Sequence, residues 1–287
     1  FTPDLYGEAM RFLTAIVLTW ITATTSALAL NVSADGGLNL PRAVTPIMER
    51  ITEFHTLLLW IIVPITLFVM ALLVWCMWRY NSKNNPVPSK SSHNTLLEVV
   101  WTALPVVILI AISVFSFPLL YYQEEIPDAD FTIKATGNQW NWTYEYPDQG
   151  AMEYLSIMVP EADLQPGQHR NLSVDYPLVV PVDAVVRLQV TATDVIHNFA
   201  MPAFGTKIDA IPGRINESWF QVTEEGTFYG QCSELCGLGH AFMPIEVHVV
   251  SQDVFDAWIA AEPGTDESNA VIAAYEAARN TRLAQLD

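Results

Sequence analysis

The sequence predicts a two-helix transmembrane hairpin, then an all-β sandwich or barrel domain, then a C-terminal helical tail. Three observations carry this expectation. Two nearly uncharged apolar stretches, residues 54–78 and 99–120, are each long enough at about 1.5 Å per residue to cross a bilayer. From residue 131 to 250 the pattern changes to short β-branched and aromatic runs separated by Pro, Gly, Asp and Asn, as in regularly spaced short strands. Charge divides at the same place: residues 1–120 hold 6 acids and 6 bases, residues 121–287 hold 25 and 7. The whole net charge of -18 therefore lies in the second part, which argues against nucleic-acid binding and for a cationic partner.

Taken in order, residues 1–29 read as a secretory signal. A lone Arg11 precedes an apolar run that ends in Ala27-Leu28-Ala29, a small-residue cleavage pattern. The rival reading is a retained first membrane helix. Residues 30–50, with Gly36, Gly37, Pro41 and Pro46, read as a linker. Residues 51–123 form the hairpin, with Pro64 and Pro105 tolerable inside membrane helices and Cys76 a small apolar residue. Its loop carries Arg79, Lys83 and Lys90 and no acid, so the loop faces the cytoplasm and both ends of the hairpin lie outside. Glu98 opens the second helix beside that basic loop. It is either a solvated N-terminal charge or a proton-collecting carboxylate at a channel mouth.

Residues 124–250 make the β domain, with strands expected at 131–135, 140–146, 185–192, 218–222 and 245–250. Trp140, Trp142, Tyr144 and Tyr146 share one parity and would project from one strand face. Most of that face is core, while a tryptophan at its exposed end offers a place for electrons to arrive. In the tail, residues 251–287, Val254, Trp258 and Ile259 make one helical stripe and Val271, Tyr275 and Ala278 another, broken at Glu262-Pro263-Gly264.

The chemistry concentrates in Cys232-Ser-Glu-Leu-Cys236-Gly-Leu-Gly-His240-Ala-Phe-Met243. Two thiols, an imidazole and a thioether within twelve residues form the soft ligand set that selects copper over magnesium, calcium or manganese. Thiolates at this spacing can turn into one loop interior and bridge two copper ions, with the upstream His197 and His240 capping one each. Met243 and the Glu234 carbonyl are then weak axial donors. A Cys232–Cys236 disulfide and a tetrahedral zinc site are the competing readings. Zinc, however, has no use for Met243.

Four blocks resemble subunit II of the cytochrome c oxidases of bacteria and mitochondria. They are Leu97-Glu-Val-Val-Trp-Thr-Ala-Leu-Pro105, Gln139-Trp140, Asp194-Val-Ile-His-Asn-Phe199 through Asp209-Ala-Ile-Pro-Gly-Arg214, and Tyr229-Gly-Gln-Cys232 through Pro244. The resemblance implies a binuclear CuA centre of two copper ions in a cupredoxin-like Greek-key domain. Its ligands would be His197, Cys232, Cys236, His240, Met243 and the Glu234 carbonyl. It implies that the Glu234 side chain helps hold magnesium at the interface with the heme-bearing catalytic subunit I, that Trp140 receives electrons from cytochrome c, and that Glu98 stands at a proton-channel entrance. No heme is expected on this chain, whose place would be a bacterial inner membrane, crossed twice, with the CuA domain in the periplasm. Asn138 and Asn141 depart from the pattern, where relatives often have histidine and tyrosine. Asp194, Glu145 and Asp148 are candidate docking acids for a lysine-rich donor. His55, His93, His169 and His248 receive no role. The alternatives are a membrane-anchored copper-binding protein and the copper-loop relay of another reductase.

Overall fold

The computed structural model describes residues 38–150 and 152–283, so the signal reading of residues 1–29 lies outside the described residues. Two long helices come first, α1 (Pro46–Arg79) and α2 (Thr95–Glu124). Both outrun their apolar stretches and are long and apolar enough to cross a membrane. Pro46, expected to belong to the linker, is instead a first-turn residue of α1, where its missing N–H costs no hydrogen bond; Thr45 caps that end by accepting from Met48 N–H at 3.0 Å. Pro64, Pro105 and Pro118 lie inside the helices without ending them. Asn94 caps α2, and Glu98 in its first turn faces the positive end of the helix dipole.

The start of α1 is fastened to the β domain. Thr45 Oγ1 donates to Phe204 O at 2.7 Å, Val44 N–H to Ala203 O at 3.3 Å, and Thr223 N–H to Val44 O at 3.0 Å. Val44, Ile47 and Met48 are buried there. Gly205 has φ +71°, and a Cβ on it would come within 2.8 Å of Ile51 Cδ1, so the close approach requires glycine. The Arg50 guanidinium lies 3.5 Å from the centre of the Tyr122 ring, which meets Trp219 edge-on at 5.4 Å. Hairpin and domain are thus joined through both helices.

Ten strands follow: β1 (Phe131–Asn138), β2 (Asn141–Tyr146), β3 (Met152–Ser156), β4 (Leu178–Pro181), β5 (Val185–Ala192), β6 (His197–Met201), β7 (Thr206–Ala210), β8 (Asn216–Gln221), β9 (Gly226–Cys232) and β10 (Pro244–Val250). They form two five-stranded sheets, ordered β3-β2-β1-β5-β8 and β4-β10-β9-β6-β7. Fully buried Ile133, Tyr144, Leu188, Phe199, Phe220 and Ile245 fill the space between. Pairing is mixed: β1 pairs β5 and β10 pairs β4 in parallel, and the other neighbours are antiparallel. Each parallel pair is separated by a long excursion through the other sheet, the length of connection that parallel pairing requires. The five expected strands correspond to β1, β2, β5, β8 and β10. By contrast β4 and β6 are buried at every position and β9 at all but one, so they lack the alternation that marks a half-exposed strand.

The tail is two helices, α3 (Gln252–Ala260) and α4 (Asp266–Leu283). Phe255 and Trp258 of α3 are buried against Phe131, Tyr146 and Tyr154 at ring separations of 5.3 to 6.3 Å. The α4 helix docks by polar contacts: Tyr275 Oη donates to Glu225 at 2.7 Å, and Arg279 to the Glu225 carbonyl at 3.0 Å. At its centre is His248, to which sequence reading assigned no role. Its Nε2 lies 2.9 Å from Glu246 and its Nδ1 3.0 Å from Glu276. Carboxylates only accept, so both nitrogens donate and the ring is an imidazolium. Burial pushes its pKa down, but the two carboxylates outweigh burial and raise it from 6.5 to about 9.

A raised histidine pKa contributes stability that is fully present below 6.5 and lost as pH climbs through about 9. In the full chain, amide exchange in α4, corrected for intrinsic rate, should accelerate between these values. The His248→Gln variant should show fast exchange at every pH. An α4 whose protection does not change across this window would show that the histidine does not hold it.

Candidate metal centre

Four pieces of chain meet at one end of the sandwich: the last residue of β9 (Cys232), the first of β6 (His197), the loop to β10, and the β1–β2 hairpin turn. The register Phe199↔Cys232 sets β9 beside β6, so the loop after Cys232 folds back over His197. Cys236, a short turn at His240–Phe242 and Met243 complete the pocket. His197, Met243, Cys236 and Cys232 are 0%, 1%, 3% and 6% exposed, so donors that water would normally satisfy are held dry.

The two sulfurs stand 3.9 Å apart as free thiols, far beyond the roughly 2.05 Å of a disulfide. Cys232 Sγ has His197 Nδ1 at 4.0 Å and the Glu234 carbonyl at 3.4 Å. Cys236 Sγ has His240 Nδ1 at 3.5 Å and Met243 Sδ at 3.6 Å. Each sulfur therefore has its own imidazole and its own weak donor. His197, Cys232 and Cys236 place their ligand atoms within 4.8 Å of one another, close enough to share a metal ion. This soft, buried donor set fits copper.

Charge in the pocket is tightly coupled. Burial pushes the Cys232 thiol up, but hydrogen bonds from His197 and nearby backbone outweigh it and bring the group well below its ordinary value. Burial and the resulting charge on Cys232 push Cys236 up. Without metal the pair therefore tends to hold one proton, which a metal ion would displace.

Other sequence candidates fall into place around the pocket. Trp140 is half-buried in the two-residue turn between β1 and β2, not on the strand face that holds buried Trp142, Tyr144 and Tyr146, which corrects the single-face expectation. Its indole N–H and the Gln139 amide both donate to the Cys236 carbonyl, at 3.1 and 2.8 Å. Its ring lies on Gly237 and Gly239, and a Cβ at Gly239 would overlap it. Trp142 donates to Met243 O at 3.2 Å and meets the His197 ring edge-on at 6.2 Å. Asn138 donates to Asn141 at 2.9 Å across the base of the same turn, so the departing pair supports the hairpin.

The three candidate docking acids are all engaged. Glu145 pairs with Lys134 at 2.7 Å, Asp148 accepts Thr132 N–H at 2.6 Å, and Asp194 contacts His197 at 2.9 Å. The exposed residues around the loop are largely apolar: Leu235, Leu238 and Phe242. The Glu234 side chain is exposed beside them. Glu98, half-buried, lies at the far end of α2, about 40 Å along the helix from Glu124. Sequence reading gave no role of their own to Gln139, Gly137 and Gly239, whose parts depend on the fold. The Asp-x-x-His spacing of Asp194 and His197 was the available signal for their pairing.

The family model described as cytochrome c oxidase subunit II, periplasmic domain, matches residues 131–250, and the corresponding transmembrane-domain model matches residues 33–119. A Rickettsia bellii (strain RML369-C) protein described as "Probable cytochrome c oxidase subunit 2" is 51% identical over 218 residues, covering 76% of this chain and 81% of the relative. Cytochrome c oxidase subunit 2 of Cereibacter sphaeroides is 43% identical over 260 residues, covering 84% and 86%. The crystal structure of the periplasmic domain of subunit II of cytochrome oxidase (CoxB) of Bradyrhizobium japonicum is 57% identical, with a TM-score of 0.45, over 48% of this chain and 96% of that one. With both the apolar helices and the cysteine-bearing β domain matched, the chain belongs to the cytochrome c oxidase subunit II family, as a membrane-anchored, two-pass component of an oxidase complex.

Proposed function

We propose that this chain accepts electrons from cytochrome c at a binuclear copper centre and passes them to the heme-bearing catalytic subunit, which reduces oxygen with coupled proton pumping. The observation that carries the reading is the pair of free thiols 3.9 Å apart, each with its own imidazole and weak donor. When bound, the two copper ions supply a one-electron carrier whose charge change is spread over both metals and both sulfurs. The ligands are His197, Cys232, the Glu234 carbonyl, Cys236, His240 and Met243. Their anchoring at strand ends and on packed glycines limits rearrangement between redox states, which keeps transfer fast.

Trp140 is the electron acceptor site facing cytochrome c, and its hydrogen bond to the Cys236 carbonyl gives a short connection to the centre. The negative charge of the outer domain raises encounter rates with a lysine-rich donor in a salt-dependent way. Exposed Leu235, Leu238 and Phe242 suit a protein contact around the loop. The Glu234 side chain holds magnesium at the catalytic subunit, so one residue serves the copper with its backbone and the partner with its carboxylate. Glu98 collects protons on the cytoplasmic side of a bacterial inner membrane, with the copper domain in the periplasm.

Copper-supplied protein should hold two copper ions per chain, with the near-infrared absorption and seven-line EPR pattern of a mixed-valence pair; zinc alone, or a Cys232–Cys236 disulfide in fresh protein, would refute the centre. Oxidation of cytochrome c should slow with salt, and Trp140→Phe should reduce electron uptake about a hundredfold, the scale of loss when a reacting group leaves its productive position. Unchanged uptake would remove Trp140 from the path. For Glu98→Ala, steady turnover should fall while copper reduction by cytochrome c stays fast; slowed copper reduction would count against a proton role.

A further inference from the structure

Asp194 does not sit as a docking acid should. Its side chain is 31% exposed, but its hydrogen bonds point inward. Oδ1 lies 2.9 Å from His197 Nε2 and accepts Val195 N–H at 2.7 Å, while Oδ2 accepts Gln139 N–H at 2.7 Å. The His197 ring is closed in on its other sides. Trp142 meets it edge-on at 6.2 Å, and a Cβ on Gly137 would come within 2.9 Å of it. One edge of the ring turns Nδ1 toward Cys232 Sγ at 4.0 Å, and the opposite edge meets the carboxylate. A carboxylate only accepts, so Nε2 carries a proton whatever the state of Nδ1, and a metal ion at the sulfur pair would take the Nδ1 lone pair in place of the proton shared with Cys232. The same carboxylate holds the backbone of Gln139, the neighbour of Trp140 in the turn.

We infer that Asp194 is a positioning residue of the metal centre, fixing the tautomer and orientation of His197 and pinning the Trp140 turn to that same ligand. The inference rests on the copper reading of the site. A carboxylate behind a ligand imidazole makes it a stronger donor, as in other carboxylate–histidine–metal arrangements. It also places negative charge near the metal, which favours the oxidised state. Removing the charge favours the reduced state.

The test uses the purified oxidase complex carrying Asp194→Asn or Asp194→Glu, beside the parent protein. Four properties are read: the EPR hyperfine pattern, the ratio of reduced to oxidised copper at the parent's midpoint potential, copper loss to a chelator, and the salt dependence of cytochrome c oxidation. Asp194→Asn keeps size and one acceptor but loses the charge. It should raise the reduced fraction several-fold and weaken copper retention about 10- to 100-fold, the range for loss of such a partner. The salt dependence should stay as in the parent. A flattened salt dependence with parent-like hyperfine pattern, redox ratio and retention would make Asp194 a docking acid and overturn the inference. Asp194→Glu settles the matter if the asparagine variant does not assemble. It keeps the surface charge but displaces the carboxylate, so an altered hyperfine pattern is expected, and a parent-like pattern overturns the inference. A parent protein without copper would refute the copper reading itself, whereas copper-loaded variants that match the parent would refute only the role of Asp194.

Discussion

Two sulfurs 3.9 Å apart in a dry pocket are the constraint around which the domain is arranged. Two thiolates at that distance repel by about 4 kcal/mol at an effective dielectric near 20, before the penalty for removing them from water. The folded chain meets part of this opposition with hydrogen bonds to Cys232 and with a proton left on Cys236. The remainder is met by rigidity. Cys232 ends a strand paired on both sides, His197 begins another, and the loop from Cys232 to Met243 is pressed by Trp140 from above and by Trp142 at its far end. A looser framework would let the sulfurs separate or close into a disulfide. The glycines at 137, 237 and 239 belong to the same requirement, since side chains there would push the histidine or the indole away from the pair.

Position relative to the membrane depends on a second contact set. Thr45, Val44 and Gly205 join the start of α1 to the β domain, while Arg50 of α1 lies over Tyr122 of α2, which meets Trp219 of β8 edge-on. Because both helices are engaged, the domain cannot swing freely about one linker. The metal pocket is thereby kept at the opposite end of the hairpin from Glu98. The tail adds a third attachment, through Trp258 in the core and Glu276 on His248.

Much of the candidate site was legible in the chain because most of its candidate ligands are local. Cys232, Glu234, Cys236, His240 and Met243 lie in one short loop, and their softness alone limits the metal. The hairpin was legible for a similar reason, since a bilayer imposes a length and a composition that few other structures share. What escaped depended on which side chains the fold turns toward one another, whether near or far in sequence. Asp194 and Glu145 looked like free surface acids until His197 and Lys134 were placed beside them. Trp140 had the parity of Trp142 but fell on the turn, where parity has no meaning. His248 seemed idle because its two carboxylates come from its own strand and from a helix near the end of the chain.

By itself, then, the sequence determined the membrane hairpin and its basic loop, the acidic second half, the short-strand domain and the soft donor set, because each rests on composition or on residues close along the chain. Only the tertiary structure decided the mixed pairing of the sheets, the separation of the two sulfurs, the allotment of one imidazole to each, and the carboxylate behind His197. These are distances between segments up to about a hundred residues apart, set by how two sheets, a hairpin turn and a loop pack together, and packing is a property of the whole chain.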